Sequence, residues 1–193
     1  MTRYAKGHKT QSKQHILDAA AALFRRDGLD AVGIASLMEA AGLTHGGFYA
    51  HFASKAALEG EAIAVGLAET TARHRVAGAS AQPGKGLERI VNRYLSRTHR
   101  DGRERGCVIA SLAPEVARRA APTRSAFTRG VRELLSLLAE HTTSKPDSAA
   151  LQVLSTLVGS LQLARAVDDP DLSNAFLREG KRAALQLGGF EDR

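Results

Sequence analysis

Apolar residues along this chain recur at intervals of three and four and almost never at two, which fits helices throughout and leaves no segment that reads as a strand. Ile16, Ala19, Ala20, Leu23 and Phe24 share one face of a first helix, with Thr10 or Ser12 placed to cap its start and Gly28 to end it. Ile34, Leu37, Met38 and Ala41 mark a short second helix stopped by Gly42. Thr44 is placed to cap a third helix running to about Phe52, and Ser54 a long fourth that turns Leu58, Val65 and Leu67 inward. The glycines and proline between Gly78 and Gly86 make a loop. Beyond it, Leu87, Ile90, Val91, Tyr94, Leu95 and Thr98 form a stripe on a fifth helix, broken by the glycines of residues 100–106. A shorter helix spans Cys107 to Arg119 with Pro114 inside it, and Pro122 opens the next, with Phe127, Val131, Leu134, Leu135 and Leu138 facing in. Further helices cover 149–167 and 171–187. The expected architecture is all-α, with about nine helices.

Of the 193 residues 44% are apolar, enough to bury a sizeable core. Aromatics are scarce and Trp is absent, which argues against an RNA-stacking module or an aromatic-rich β fold. The single cysteine excludes a disulfide framework and a cysteine-based zinc cluster, and no metal site or cofactor is expected. The opening MTRYAKGHKT has no apolar leader core. The longest uncharged run, Ser148 to Ala164, carries Gln152, Ser155, Thr156, Ser160 and Gln162, so it reads as a helix buried in protein and no membrane is expected. This composition fits a cytoplasmic protein. Its net charge of +7 points to an acidic partner, with nucleic acid foremost.

Residues 34–55, IASLMEAAGLTHGGFYAHFASK, carry the functional signal. Two short helices meet at Ala40-Ala41-Gly42-Leu43, where Gly42 lets the backbone reverse and small residues let the helices cross closely. That is the physics of a helix-turn-helix, whose second helix lies in the DNA major groove. Phe48 and Phe52, four apart, should anchor this helix to the core, leaving His45, Gly46 and Tyr49 on the opposite face. Gly46 and Gly47 each cost about 0.5–1 kcal/mol of helix stability, a sign that something approaches the backbone closely. The positive helix end at Thr44 favours a phosphate, and Lys55 supplies a further cation. Arg3, Lys6, Lys9 and Lys13 form a loose basic arm suited to a DNA backbone or minor groove.

The segment from Gly28 to Leu58, and T-x-G-x-F-Y-x-H-F-x-S-K within it (Thr44 to Lys55), resembles the DNA-binding signature of the tetracycline-repressor (TetR) family of bacterial regulators. The resemblance implies DNA contact by Thr44, His45, Gly46, Tyr49 and His51, with Lys55 on a phosphate. Position 45 is often Lys or Arg in such proteins, and His45 is a weaker partner for guanine. Gly33 stands where Ser or Thr often caps the second helix, at a cost of a few tenths of a kcal/mol. Weaker echoes at Gly106 to Arg119 and Leu157 to Ser173 resemble the ligand and dimer domain of one subgroup, some of whose members sense electrophiles through a cysteine matching Cys107.

Cys107 has its own reading. A helix start just after Arg103 and Arg105 favours a reactive thiolate, whereas packing under the helix makes it a small apolar residue. A cysteine enzyme is a rival reading, but no His-and-acid arrangement accompanies Cys107. Arg89, Arg93, Arg97 and Arg100 make a basic stripe, either a solvated face or an attractor of phosphate or an anionic effector. The helices at 149–167 and 171–187 carry surplus apolar surface, with Gly159, Ser155 and Ala164 permitting close approach, and suit a homodimer interface. The expected layout is a helix-turn-helix domain at 1–54 and a helical effector-binding and dimerisation domain at 55–193. The expected function is non-enzymatic: a repressor that binds a palindromic operator in double-stranded DNA as a dimer and is released by a small-molecule or electrophile effector. Periodicity directs Tyr94, Phe127, Val131, Leu154 and Leu161 toward the effector, and Cys107 joins them as a candidate sensor from its place at a helix start. The alternative is a sequence-blind architectural DNA-binding protein.

Overall fold

A computed structural model describes residues 3–82, 84–143 and 145–190, with backbone only for residues 3–8. Among the described residues every regular element is helical: α1 (Arg3–Asp27), α2 (Ile34–Ala40), α3 (His45–Ala50, a 3₁₀ helix), α4 (Lys55–Ala79), α5 (Gly86–Tyr94), α6 (Arg97–Asp101), a 3₁₀ turn at Arg103–Arg105, α7 (Val108–Val116), α8 (Ala121–Ala139), α9 (Pro146–Ala166) and α10 (Pro170–Leu187). The long α4 is the spine, packing against α1 on one side and α8 on another, while α9 and α10 pair closely.

One continuous apolar core runs through the molecule. At its N-terminal end Ile16, Phe24, Leu29, Leu37, Met38, Phe48, Phe52 and Leu58 enclose α1 to α3, and it continues through Leu67, Ile90, Val108, Leu134, Leu157 and Leu161. Burial of such side chains is worth roughly 1.5–3 kcal/mol each and dominates the fold's stability.

Helix ends account for most departures from the periodicity. α1 begins at Arg3, so Thr10 and Ser12 lie inside it and cap nothing. The basic arm is accordingly helical, with Lys13 paired to Glu61 at 2.6 Å; the side chains of Arg3 and Lys6 lie outside the described residues. Thr44 precedes α3 without a side-chain cap; its carbonyl accepts from Gly47 N instead. Ser54 does cap α4, accepting from Ala57 N at 3.1 Å. The loop predicted from Gly78 is shorter, because α4 continues to Ala79 and α5 starts at Gly86. The fifth helix stops at Tyr94; Ser96 then caps α6 by accepting from His99 N, so Thr98 belongs to a separate short helix. Pro114 is tolerated within α7, which ends at Val116 rather than Arg119.

Among the described residues no helix is long and apolar enough to cross a membrane, and no group of three or more His, Cys, Asp or Glu is placed to hold a metal ion.

Candidate functional site

The reversal between α2 and α3 is built as the sequence requires. Gly42 sits at φ +70°, where a side chain would be strained, and Leu43 N returns to Met38 O at 2.9 Å. Phe48 and Phe52 are buried with ring centroids 5.7 Å apart, fixing one side of α3 to the core. The other side faces solvent. Thr44, His45 and Gly46 are exposed, Gly47 is half-buried against Met38, and Tyr49 is 65% exposed with its ring edge-on to Phe48. A tyrosine so exposed leaves an apolar ring in water, and its neighbour's packing holds it in place.

The remaining motif residues differ in character. His51 is half-buried beside Phe52, its Nδ1 without a partner, and burial lowers its pKa with help from Lys9 and Lys13. At neutral pH it therefore offers hydrogen bonding rather than charge. Lys55 donates to Leu29 O at 2.6 Å, across the loop joining α1 and α2, so part of its donor capacity is used within the chain.

The same loop is tied to the body of the molecule by charge. Glu115 of α7 accepts from Leu29 N and Asp30 N at 2.8 and 3.2 Å. Gly28 (φ +91°) passes so close that an added methyl would meet the Glu115 carboxylate at 2.8 Å. Arg119 bridges Asp30 at 2.6 Å and the buried Glu59 of α4 at 3.0 Å. Sequence periodicity offered no sign of these ties.

A cavity of about 750 Å³ opens between α1, α4, α5 and residues 96–107. It brings together Tyr94 and Cys107 with Arg25, Glu69, Thr70, Arg73, His74, Arg93, His99, Glu104 and Arg105. Phe127, Val131, Leu154 and Leu161 do not line it. Leu154 and Leu161 are core residues, and Phe127 and Val131 pack against that core half-buried. The period placed them inward correctly, but inward here means the core between α8 and α9. His74 is the residue periodicity would have found, one heptad after Leu67 on the buried face of α4.

Burial sets the chemistry of the cavity floor. His74 and His99 are each pushed down to about pKa 4 by loss of solvation and stay neutral at pH 7. Cys107 N donates to His99 Nε2 at 3.0 Å, so the ring proton sits on Nδ1 and is donated to Tyr94 O at 2.6 Å. Tyr94 stacks on His74 at 5.6 Å and meets His99 edge-on at 4.8 Å. Its hydroxyl lies near the Cys107 thiol without an acceptable hydrogen bond, and burial raises its pKa well above the usual value. Cys107 itself is fully buried at the N-terminal cap position of α7.

On α9 and α10 four leucines stand outward among polar residues. Leu151, Leu163, Leu172 and Leu187 are exposed, and a methyl at Gly159 would meet nothing within the chain. The close helix approach lies at Gly180, where a side chain would collide with Ser160.

Residues 16–62 match the sequence pattern of bacterial regulatory proteins of the tetR family. Over 61 residues the chain is 38% identical to the HTH-type transcriptional regulator AcrR of Shigella flexneri, which covers 32% of this chain and 28% of AcrR. Over 136 residues it is 29% identical to the HTH-type transcriptional repressor NemR of Escherichia coli (strain K12), covering 67% of this chain and 66% of NemR. The matched stretches thus span less than two thirds of either relative's own length. The crystal structure of E. coli NemR in its reduced form shares the fold with a TM-score of 0.75 at 21% identity, over 92% of this chain and 97% of that one. A TetR-family transcriptional regulator from Cytophaga hutchinsonii does so with a TM-score of 0.78 at 16% identity, over 96% and 98%. Motif geometry, matched segment and shared fold converge: residues 16–62 carry the sequence pattern of the tetR family of bacterial regulatory proteins, and the whole chain has the fold of TetR-family regulators.

Proposed function

We propose that the protein is a ligand-responsive transcriptional repressor that binds a palindromic operator as a homodimer. The observation that carries this reading is the outer face of α3, where Thr44, His45, Gly46 and Tyr49 stand exposed over a buried Phe48–Phe52 anchor. Such a face, small at two positions and polar at the rest, fits against base edges and phosphates in a major groove. Gly47 admits close approach of the backbone, His51 and Lys55 flank the contact, and Lys55 serves a phosphate. The dividing line of the reading is 1–54 for DNA and 55–193 for effector and partner. The names of AcrR and NemR, a regulator and a repressor, favour the same class.

Two copies meet through α9 and α10 in this reading. Leu151, Ser155, Gly159 and Leu163 recur every four residues along the exposed side of α9, so the bare Gly159 receives the partner helix. The paired α3 helices then sit about 34 Å apart, one turn of DNA. An effector among α4 to α8 releases DNA by binding the misfitting spacing more tightly, since equal affinity for both states shifts nothing. Tyr94 and Cys107 line that site. Cys107 then either packs as a small apolar residue or meets an electrophile that reaches the cavity floor.

Electrophoretic mobility shifts at one fixed salt concentration test the proposal, comparing a site selected from random DNA with its scrambled version. A regulator prefers the selected site by at least about a thousandfold. Equal affinity for both describes an architectural protein held by phosphates alone.

A further inference from the structure

The cavity beside Tyr94 is unbalanced in charge. Arg25, Arg73, Arg93 and Arg105 line it against only Glu69 and Glu104. Glu69 is already shared by Arg25 at 3.0 Å and Arg73 at 3.8 Å, and Glu104 meets Arg25 through its backbone carbonyl. Among the described residues, no carboxylate lies within ion-pair distance of Arg93 or Arg105. Burial, then repulsion from Arg25 and Arg93, lowers the Arg73 pKa, partly offset by Glu69.

Deeper in, two polar atoms lack partners. The Tyr94 hydroxyl and His74 Nδ1 belong to residues 1% and 6% exposed, and both residues line the same cavity. Buried polar atoms in native proteins are almost always satisfied, so unpaired ones at a cavity wall find their partner in what fills it. The volume suits a small organic molecule rather than a single ion.

We infer that this cavity binds a small organic anion, its carboxylate or phosphate held by Arg73, Arg93 and Arg105 and its polar body reaching the Tyr94 hydroxyl and His74. The aromatic floor of His74, Tyr94 and His99 covers an unsaturated ring, and Cys107 lies against that floor beside His99. Calling this anion the effector rests on the repressor reading; the binding itself does not. Arg25 belongs to α1, so occupancy of the cavity is one ion pair from the helix that braces the DNA-reading unit.

Calorimetric titration and thermal shift of the full chain at constant ionic strength test the inference with benzoate and phenyl phosphate, set against neutral benzamide and cationic benzamidine. Both anions are expected to bind and raise the melting temperature at millimolar concentration; the stronger of the two identifies the charged group preferred. The neutral and cationic probes are expected to do neither. Replacing the exposed pair, Arg93→Gln with Arg105→Gln, should weaken anion binding about tenfold. Tyr94→Phe should abolish any advantage of 4-hydroxybenzoate over benzoate, with circular dichroism reporting that the fold is kept. Equal binding of benzamide, undiminished binding by the double arginine variant, or no binding by either anion overturns the inference. DNA binding is read separately by mobility shift. Specific DNA binding without anion binding sinks this inference alone, and anion binding without specific DNA binding sinks the repressor reading alone.

Discussion

Phe48 and Tyr49 are neighbours in sequence with opposite surroundings, one fully buried and one 65% exposed. Replacing Tyr49 with Ala should change stability by no more than about 0.5 kcal/mol. The same change should weaken binding to the selected operator by about 1–3 kcal/mol, measured by mobility shift beside a thermal melt. Phe48→Ala should do the reverse, costing about 3–5 kcal/mol of folding stability as the core opens a cavity. A second prediction concerns His74 and His99, both neutral in the fold with pKa values near 4. The unfolded chain takes up those protons near pH 6.5, so their contribution is complete above that pH and is lost as pH falls toward 4. Each ring should remove on the order of 2 kcal/mol between pH 7 and 5. His74→Phe keeps the stacked ring, and urea titrations across that range should show a shallower acid slope.

At the scale of elements, the connection between α1 and α2 is where local signals end and long-range ones begin. Glu115, Arg119 and Glu59 hold it from α7, from the residues just beyond α7, and from α4. Arg119→Ala leaves the carboxylate of Glu59 buried and unpaired, and should cost on the order of 3 kcal/mol in chemical denaturation. Were the contact merely a surface pair, the cost would stay below about 1 kcal/mol. Legibility followed the same divide. The three- and four-residue spacing named the helices and their buried faces, and Gly42 with the flanking residues revealed the helix-turn-helix, because those signals lie within one or two turns of chain. Thr10 and Ser12 misled because a residue able to cap a helix caps only where the helix happens to start, and Thr44 because α3 does start there but Gly47 N meets the Thr44 carbonyl rather than its side chain. The cavity was legible only at Tyr94 and Cys107, since its wall joins residues from 25 to 107 and no local pattern brings them together.

For the whole molecule, in the proposed reading, the net charge of +7 draws the protein toward DNA, but only symmetry makes that attraction select a site. The exposed apolar line on α9 is the feature that supplies a partner in the proposed dimer. Leu163→Arg should yield monomers in sedimentation experiments while leaving the single-chain fold intact by circular dichroism, and should reduce operator affinity at least about tenfold. Unchanged sedimentation would move the interface elsewhere.

The account turns on the outer side of α3 reading base pairs. Selection from a random DNA pool, run in parallel with the natural protein and with a His45→Ala, Tyr49→Ala double variant, tests it most directly. The natural protein is expected to enrich a two-fold symmetric sequence whose half-sites are one helical turn apart, and the variant to lose or alter that sequence. Identical enrichment by both proteins, or none by the natural one, contradicts the account.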